Sequence, residues 1–143
     1  MMKRILQIKA NENYTQILLL IVRLSVAGLM ITHGLPKLNK LLAGGEILFA
    51  DPIGLGATLT LILVVFSEFF CSVLIGIGLA TRLAAIPLII TMLVAAFVTH
   101  GADPIGKKEL ALLYLIIYGV LLVAGSGKYS VDHLLMRNKE GGA

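Results

Sequence analysis

Four long apolar runs dominate this chain and leave it few folds. They lie at about residues 15–35, 55–79, 83–100 and 109–124. A helix needs about 20 apolar residues to cross a bilayer core. Backbone in lipid must also satisfy its own hydrogen bonds, which a helix does internally. Only short polar segments interrupt the runs: a loop from Pro36 to Gly54, the tripeptide Ala80-Thr81-Arg82, and the turn-rich stretch from Gly101 to Lys108. The sequence therefore predicts an all-α membrane protein, a four-transmembrane-helix bundle forming one domain over residues 1–143. Residues 129–137 read as an added interfacial helix, with Ser130 as its cap and Asp132 near its positive end.

Charge placement orients the bundle. Seven cations (Lys3, Arg4, Lys9, Arg82, Lys128, Arg137 and Lys139) fall on the side of the termini, and four (Lys37, Lys40, Lys107 and Lys108) on the other. The positive-inside bias puts both termini in the cytoplasm. Lys3, Arg4 and Lys9 imitate the start of a secretory signal, but Arg23 interrupts the run that follows, so the first span is expected to be retained. Only 14% of residues are charged, against about 25% in soluble domains. The net charge of +4 reads as topology and lipid headgroup contact, not nucleic-acid binding. A single cysteine, Cys71, excludes a dithiol electron shuttle within the chain.

The polar residues inside the apolar runs carry the functional question. Arg23 lies about 12 Å into the first run and Glu68 about 16 Å from the end of the second, at 1.5 Å per residue. A lone charge near mid-membrane is costly, so the sequence predicts an Arg23–Glu68 pair. Such a pair either fixes helix register or lines a pocket for a quinone headgroup, a proton path or a small solute. Arg23, Met30, Gly34 and Lys37 share one helical face, with His33 turned about 80° away. Glu68, Cys71 and Ser72 share a face of the second run, where Cys71 reads as a small packing residue or as pocket lining. His33, Lys37, His100 and Glu109 form a second polar set at the opposite end from the termini. Two histidines and a carboxylate are metal-ligand types, and paired histidines are haem-ligand types. With no HxxxH, ExxH or CxxCH spacing, the reading is neither metal nor haem. Tyr114 and Tyr118 share the face of the last run opposite Glu109, as packing residues or as pocket lining. Gly34-Leu35-Pro36 reads as the end of the first helix, with Lys37 at the headgroups.

Several motifs occur in a familiar order: Arg23-Leu24, then HGLPKL from His33 to Leu38, Glu68, and the glycine-rich segment from Gly76 to Ala85. Glu109 and the segment from Gly125 to Asp132 follow. Taken together, this set resembles the DoxX family of small four-span membrane proteins, over about Thr15 to Asp132. The resemblance implies a protein of the bacterial or archaeal cytoplasmic (inner) membrane associated with quinone- and sulfur-linked oxidoreduction. Because the chain carries no cofactor motif, an oxidoreductase role would take its electrons from a redox partner protein or from a substrate. Two functional classes remain open: a membrane subunit of such an oxidoreductase, or a non-catalytic scaffold or small-solute binding or permeation protein. Self-association is compatible with either.

Overall fold

The structure is a computed structural model that describes residues 11–140. Lys3, Arg4 and Lys9 lie outside the described residues. The described residues contain helices and no strands. Five helices follow in order: α1 (Glu12–Leu42), α2 (Ala57–Ile77), α3 (Thr81–Thr99), α4 (Ile105–Ala124) and α5 (Val131–Glu140). α1 packs along α2, α2 on α3, α3 along α4, and α4 returns to touch α1. The resulting bundle is closed on itself.

Sequence chemistry accounts for each helix end. Asn11 caps α1, its side chain accepting the Asn13 N–H at 3.0 Å. Asp51 does the same ahead of α2, accepting from the Leu55 and Gly56 amides at 3.0 and 2.7 Å and from the Thr60 hydroxyl at 2.8 Å. α2 stops at Gly78, whose φ of +74° suits glycine. The Leu79 amide then reaches back to the Leu74 carbonyl at 2.9 Å. Ala80 takes a left-handed φ of +49°, uncommon for a residue with a Cβ. The Asp132 carboxylate holds this turn, accepting from the Ala80 amide at 2.8 Å and the Thr81 amide at 3.4 Å. Asp132 therefore serves the start of α3 as well as its own helix. Ser130 caps α5 as expected, accepting the His133 N–H at 3.2 Å.

The expected end of α1 at Gly34-Leu35-Pro36 is not observed. The helix runs for 31 residues, straight through Gly34-Leu35-Pro36. Pro36 removes one backbone hydrogen bond, and packing against α2 carries the helix past it. Gly34 is a close-approach site: a Cβ there would lie 2.8 Å from the Glu68 carbonyl carbon and 2.8 Å from the Phe69 nitrogen. The chain actually turns at Gly44 and Gly45, both with positive φ. The last helix likewise begins earlier than expected, at Ile105 just after Pro104.

α2 and α3 each widen into a π-helical turn, at Phe66–Cys71 and Val94–Thr99 respectively. Both turns flank the same cavity, as is frequent for π-bulges at functional sites. The core between the helices is apolar, built on Val26, Met30, Cys71, Ile75, Leu88, Tyr118 and Leu121. Large apolar side chains also cover the outside, among them Leu24, Leu29, Leu83, Phe97, Ile116 and Val123. Helices apolar on all sides are the signature of a bilayer environment. α1, α2 and α3 are each long and apolar enough to cross one.

Candidate functional site: a chamber built on Lys37 and Glu68

The Arg23–Glu68 pair expected from the sequence is not formed. Gly34 of α1 lies against Glu68, while Ala27 faces Gly76 and Arg23 lies against Gly78. This antiparallel register puts Arg23 about ten residues, or roughly 15 Å of helix, away from the level of Glu68. Counted from the start of the apolar run at Thr15, Arg23 falls near mid-membrane. Helix packing sets its level instead, and α1 extends past the ends of its neighbours, where Lys128 pairs with Glu12 at 2.6 Å.

Arg23 is 2% exposed and binds three carbonyls: Gly76 at 3.3 Å, Tyr129 at 2.7 Å, and Ser126. These carbonyls belong to the last turn of α2 and to the chain just after α4. The Gly76 carbonyl is a helix-end acceptor, which favours a cation, and the other two belong to the segment between α4 and α5. Arg23 thus ties α1 to the ends of two other helices and to the lead-in of α5.

Glu68 pairs instead with Lys37, whose ammonium donates to its carboxylate. The side chains are 7% and 28% exposed respectively. Three local features bring them together. Gly34 lets α1 approach α2 at backbone contact, Lys37 stands one turn further along the same face, and the π turn carries Glu68. The pair borders a cavity of about 230 Å³ lined by His33, Lys107, His100 and Tyr114, with Met30 and Met92 at its apolar side. A second cavity of about 230 Å³ lies on the other side of the same two residues. Its walls are largely apolar, and Phe49, Ala50, Pro52 and Ile53 of the α1–α2 loop roof it.

The chamber gathers most of the second polar set. His33 meets the edge of the Tyr114 ring, with centroids 6.1 Å apart and planes at 87°. Tyr114 in turn stacks on Tyr118 at 6.0 Å. The His100 Nδ1 lies 2.7 Å from Asp103, which Lys107 also approaches at 3.7 Å. Glu109 does not join: it is exposed, on the opposite side of α4 from the two buried tyrosines. The His33–His100–Glu109 set considered for a metal is therefore not assembled. Among the described residues, no three histidine, cysteine, aspartate or glutamate side chains are grouped to hold a metal ion. Cys71 and Tyr118 sit in the core cluster, not on a cavity wall.

The arrangement offers two ammonium groups, a carboxylate, two imidazoles and a phenol to a small polar group, with an apolar cavity alongside. Sequence reasoning missed Lys37 as the partner of Glu68, Asp103 as the partner of His100, and Asp51 as the anchor of the roofing loop. Gly34 next to Pro36 was the available signal: a small residue in an apolar helix marks close helix approach.

The same residues agree with the comparison to known sequences. Residues 18–101 match the DoxX family. The chain belongs to the DoxX family. The matched region holds most of α1 and all of α2 and α3, and with them Arg23, Lys37, Glu68 and His100. An uncharacterised protein of Haemophilus influenzae is 32% identical over 132 residues, covering 85% of this DoxX-family chain and 93% of the relative. No solved structure matches it. DoxX-family proteins are small membrane proteins, and this one presents several apolar helices to lipid.

Proposed function

We propose that this DoxX-family protein binds a quinone-type headgroup in the Lys37–Glu68 chamber, as the membrane subunit of a quinone- or sulfur-linked oxidoreductase. In this reading α4 is a fourth span, both termini face the cytoplasm, and the chamber opens toward the outer side of a bacterial or archaeal cytoplasmic membrane. The observation that supports it is the polar chamber itself. Lys37, Glu68, His33, His100 and Tyr114 converge on one cavity among helices that are otherwise apolar. Intramembrane ionisable groups mark substrate or proton pathways by default.

The chemistry suits the residues. Lys37 is placed to donate to a quinone carbonyl oxygen, and the Tyr114 hydroxyl or His33 to the opposite one. Reducing a quinone to its quinol takes two electrons and two protons. Glu68 and the His100–Asp103 pair are proton-exchanging groups on the wall. The electrons come from a partner oxidoreductase.

Binding of a tail-free benzoquinone to the purified protein in lipid nanodiscs tests the reading. Saturable binding is expected, weakened at least about tenfold (1.4 kcal/mol) in the double variant Lys37→Met/Glu68→Gln, which removes both charges together. No saturable binding, with quinone-dependent respiration unchanged in membranes lacking the protein, would leave the non-catalytic scaffold or small-solute protein as the better account.

A further inference from the structure

The apolar cavity on the far side of the ion pair has no role in headgroup binding. Its walls are Leu63 and Val64 of α2 and Ile90 and Val94 of α3, roofed by Phe49 and Ile53. Leu63 and Ile90 are 45% and 55% exposed. The rim between α2 and α3 is therefore apolar and turned outward, toward lipid. The roof is anchored at both ends. Lys40 donates to the Leu48 carbonyl, and Asp51 holds the first amides before α2. Thr91 also lines the cavity, and its hydroxyl is engaged by Ser67 at 2.7 Å and by the Pro87 carbonyl at 2.9 Å. Lys37 and Glu68 line both cavities, so a molecule held by the pair has polar surroundings on one side and apolar surroundings on the other.

We infer that the apolar cavity is the tail site for an amphiphilic ligand that enters sideways from the bilayer between α2 and α3. Its hydrogen-bonding head lies in the His33–Tyr114 chamber, and its alkyl or prenyl tail leaves beneath the loop. The inference rests on the headgroup reading above and adds the ligand's class and orientation. A tail gains little free energy by moving from lipid into an apolar cavity, because lipid is equally apolar. The cavity acts by admitting the tail, so filling it excludes tailed ligands selectively.

The test compares one benzoquinone ring with and without a decyl tail, in nanodiscs, with affinities referred to the concentration within the bilayer. Wild-type protein is expected to bind both within about threefold, the tail being nearly neutral between lipid and cavity. Val64→Phe and Val94→Phe, on opposite walls, are expected to weaken the tailed ring about tenfold or more by overpacking. Both should leave the tail-free ring unchanged, which also shows that the variants are folded. Unchanged affinity for the tailed ring, or equal weakening of both rings, overturns the tail site and leaves the headgroup reading standing. Wild-type protein that binds neither ring overturns the headgroup reading and the tail site with it. A decyl chain without the ring that competes as well as the tailed quinone makes the cavity an ordinary lipid site and also overturns the inference.

Discussion

Gly34→Ala is the sharpest probe of how α1 meets α2, because the same substitution six residues earlier should act in the opposite direction. An added Cβ at Gly34 would lie 2.8 Å from the Glu68 carbonyl carbon, 2.8 Å from the Phe69 nitrogen and 2.9 Å from the Glu68 oxygen. Non-bonded carbons sit comfortably at about 3.5–4.0 Å, so the two backbones must separate by roughly 0.7–1.2 Å. Overpacking of this kind costs about 1–3 kcal/mol. The better helix propensity of alanine returns up to about 1 kcal/mol. At Gly28 a Cβ meets nothing within 4 Å, so there the propensity gain stands alone. The difference between the two variants isolates the contact, at about 1–3 kcal/mol. Reversible unfolding by SDS in mixed micelles, followed by far-ultraviolet circular dichroism, measures both. Gly34→Ala as stable as Gly28→Ala would refute the close approach, and with it the reason why Lys37 reaches Glu68.

Three further outcomes follow from the same geometry. Arg23→Leu leaves the Gly76, Ser126 and Tyr129 carbonyls without their donor and should cost at least about 3 kcal/mol. Per folded molecule its quinone binding should stay unchanged, and a binding loss at full stability would contradict the assignment of Arg23 to the helix ends. The Asp51 carboxyl is held below its ordinary value of 3.8, first by the Thr60 hydroxyl and then by the Gly56 amide. Its contribution to the roofing loop is therefore complete above 3.8 and lost as the pH falls through the lowered value. A carboxyl resonance titrating at or above 3.8 in labelled protein would contradict the capping role. Asp132→Asn weakens the hold on the left-handed Ala80 turn and should speed hydrogen exchange at the Ala80 and Thr81 amides relative to those in mid-α3; equal protection in variant and wild type would count against it.

The helical, membrane-embedded character of the chain was legible in its sequence because apolar runs and polar breaks report directly on burial in lipid. Helical phase was legible too. Arg23, Met30 and Gly34 are buried, His33 is more exposed than they are, and Tyr114 and Tyr118 are buried opposite an exposed Glu109. Vertical register was not legible. Hydropathy shows that Arg23 and Glu68 lie in apolar helices, but the level at which two helices meet depends on side-chain volume at the contact. Gly34 against Glu68 sets that level here. Pro36 was misread for a related reason: its local preference to end a helix is weaker than the packing of Gly34 and Lys37 on α2. The π turn at Phe66–Cys71 has no pattern in the hydropathy, so the placement of Glu68 toward Lys37 was also beyond the sequence.

Two double-mutant cycles, measured by the same SDS unfolding, bear most directly on the central claim that Glu68 belongs to Lys37 and not to Arg23. The first combines Lys37→Met with Glu68→Gln, and the second combines Arg23→Met with Glu68→Gln. Groups in contact couple by about 0.5–3 kcal/mol, whereas groups beyond about 7–10 Å add within about 0.3–0.5 kcal/mol. The account predicts coupling in the first cycle and additivity in the second. Additivity for Lys37 with coupling for Arg23 would contradict it and return the carboxylate to Arg23.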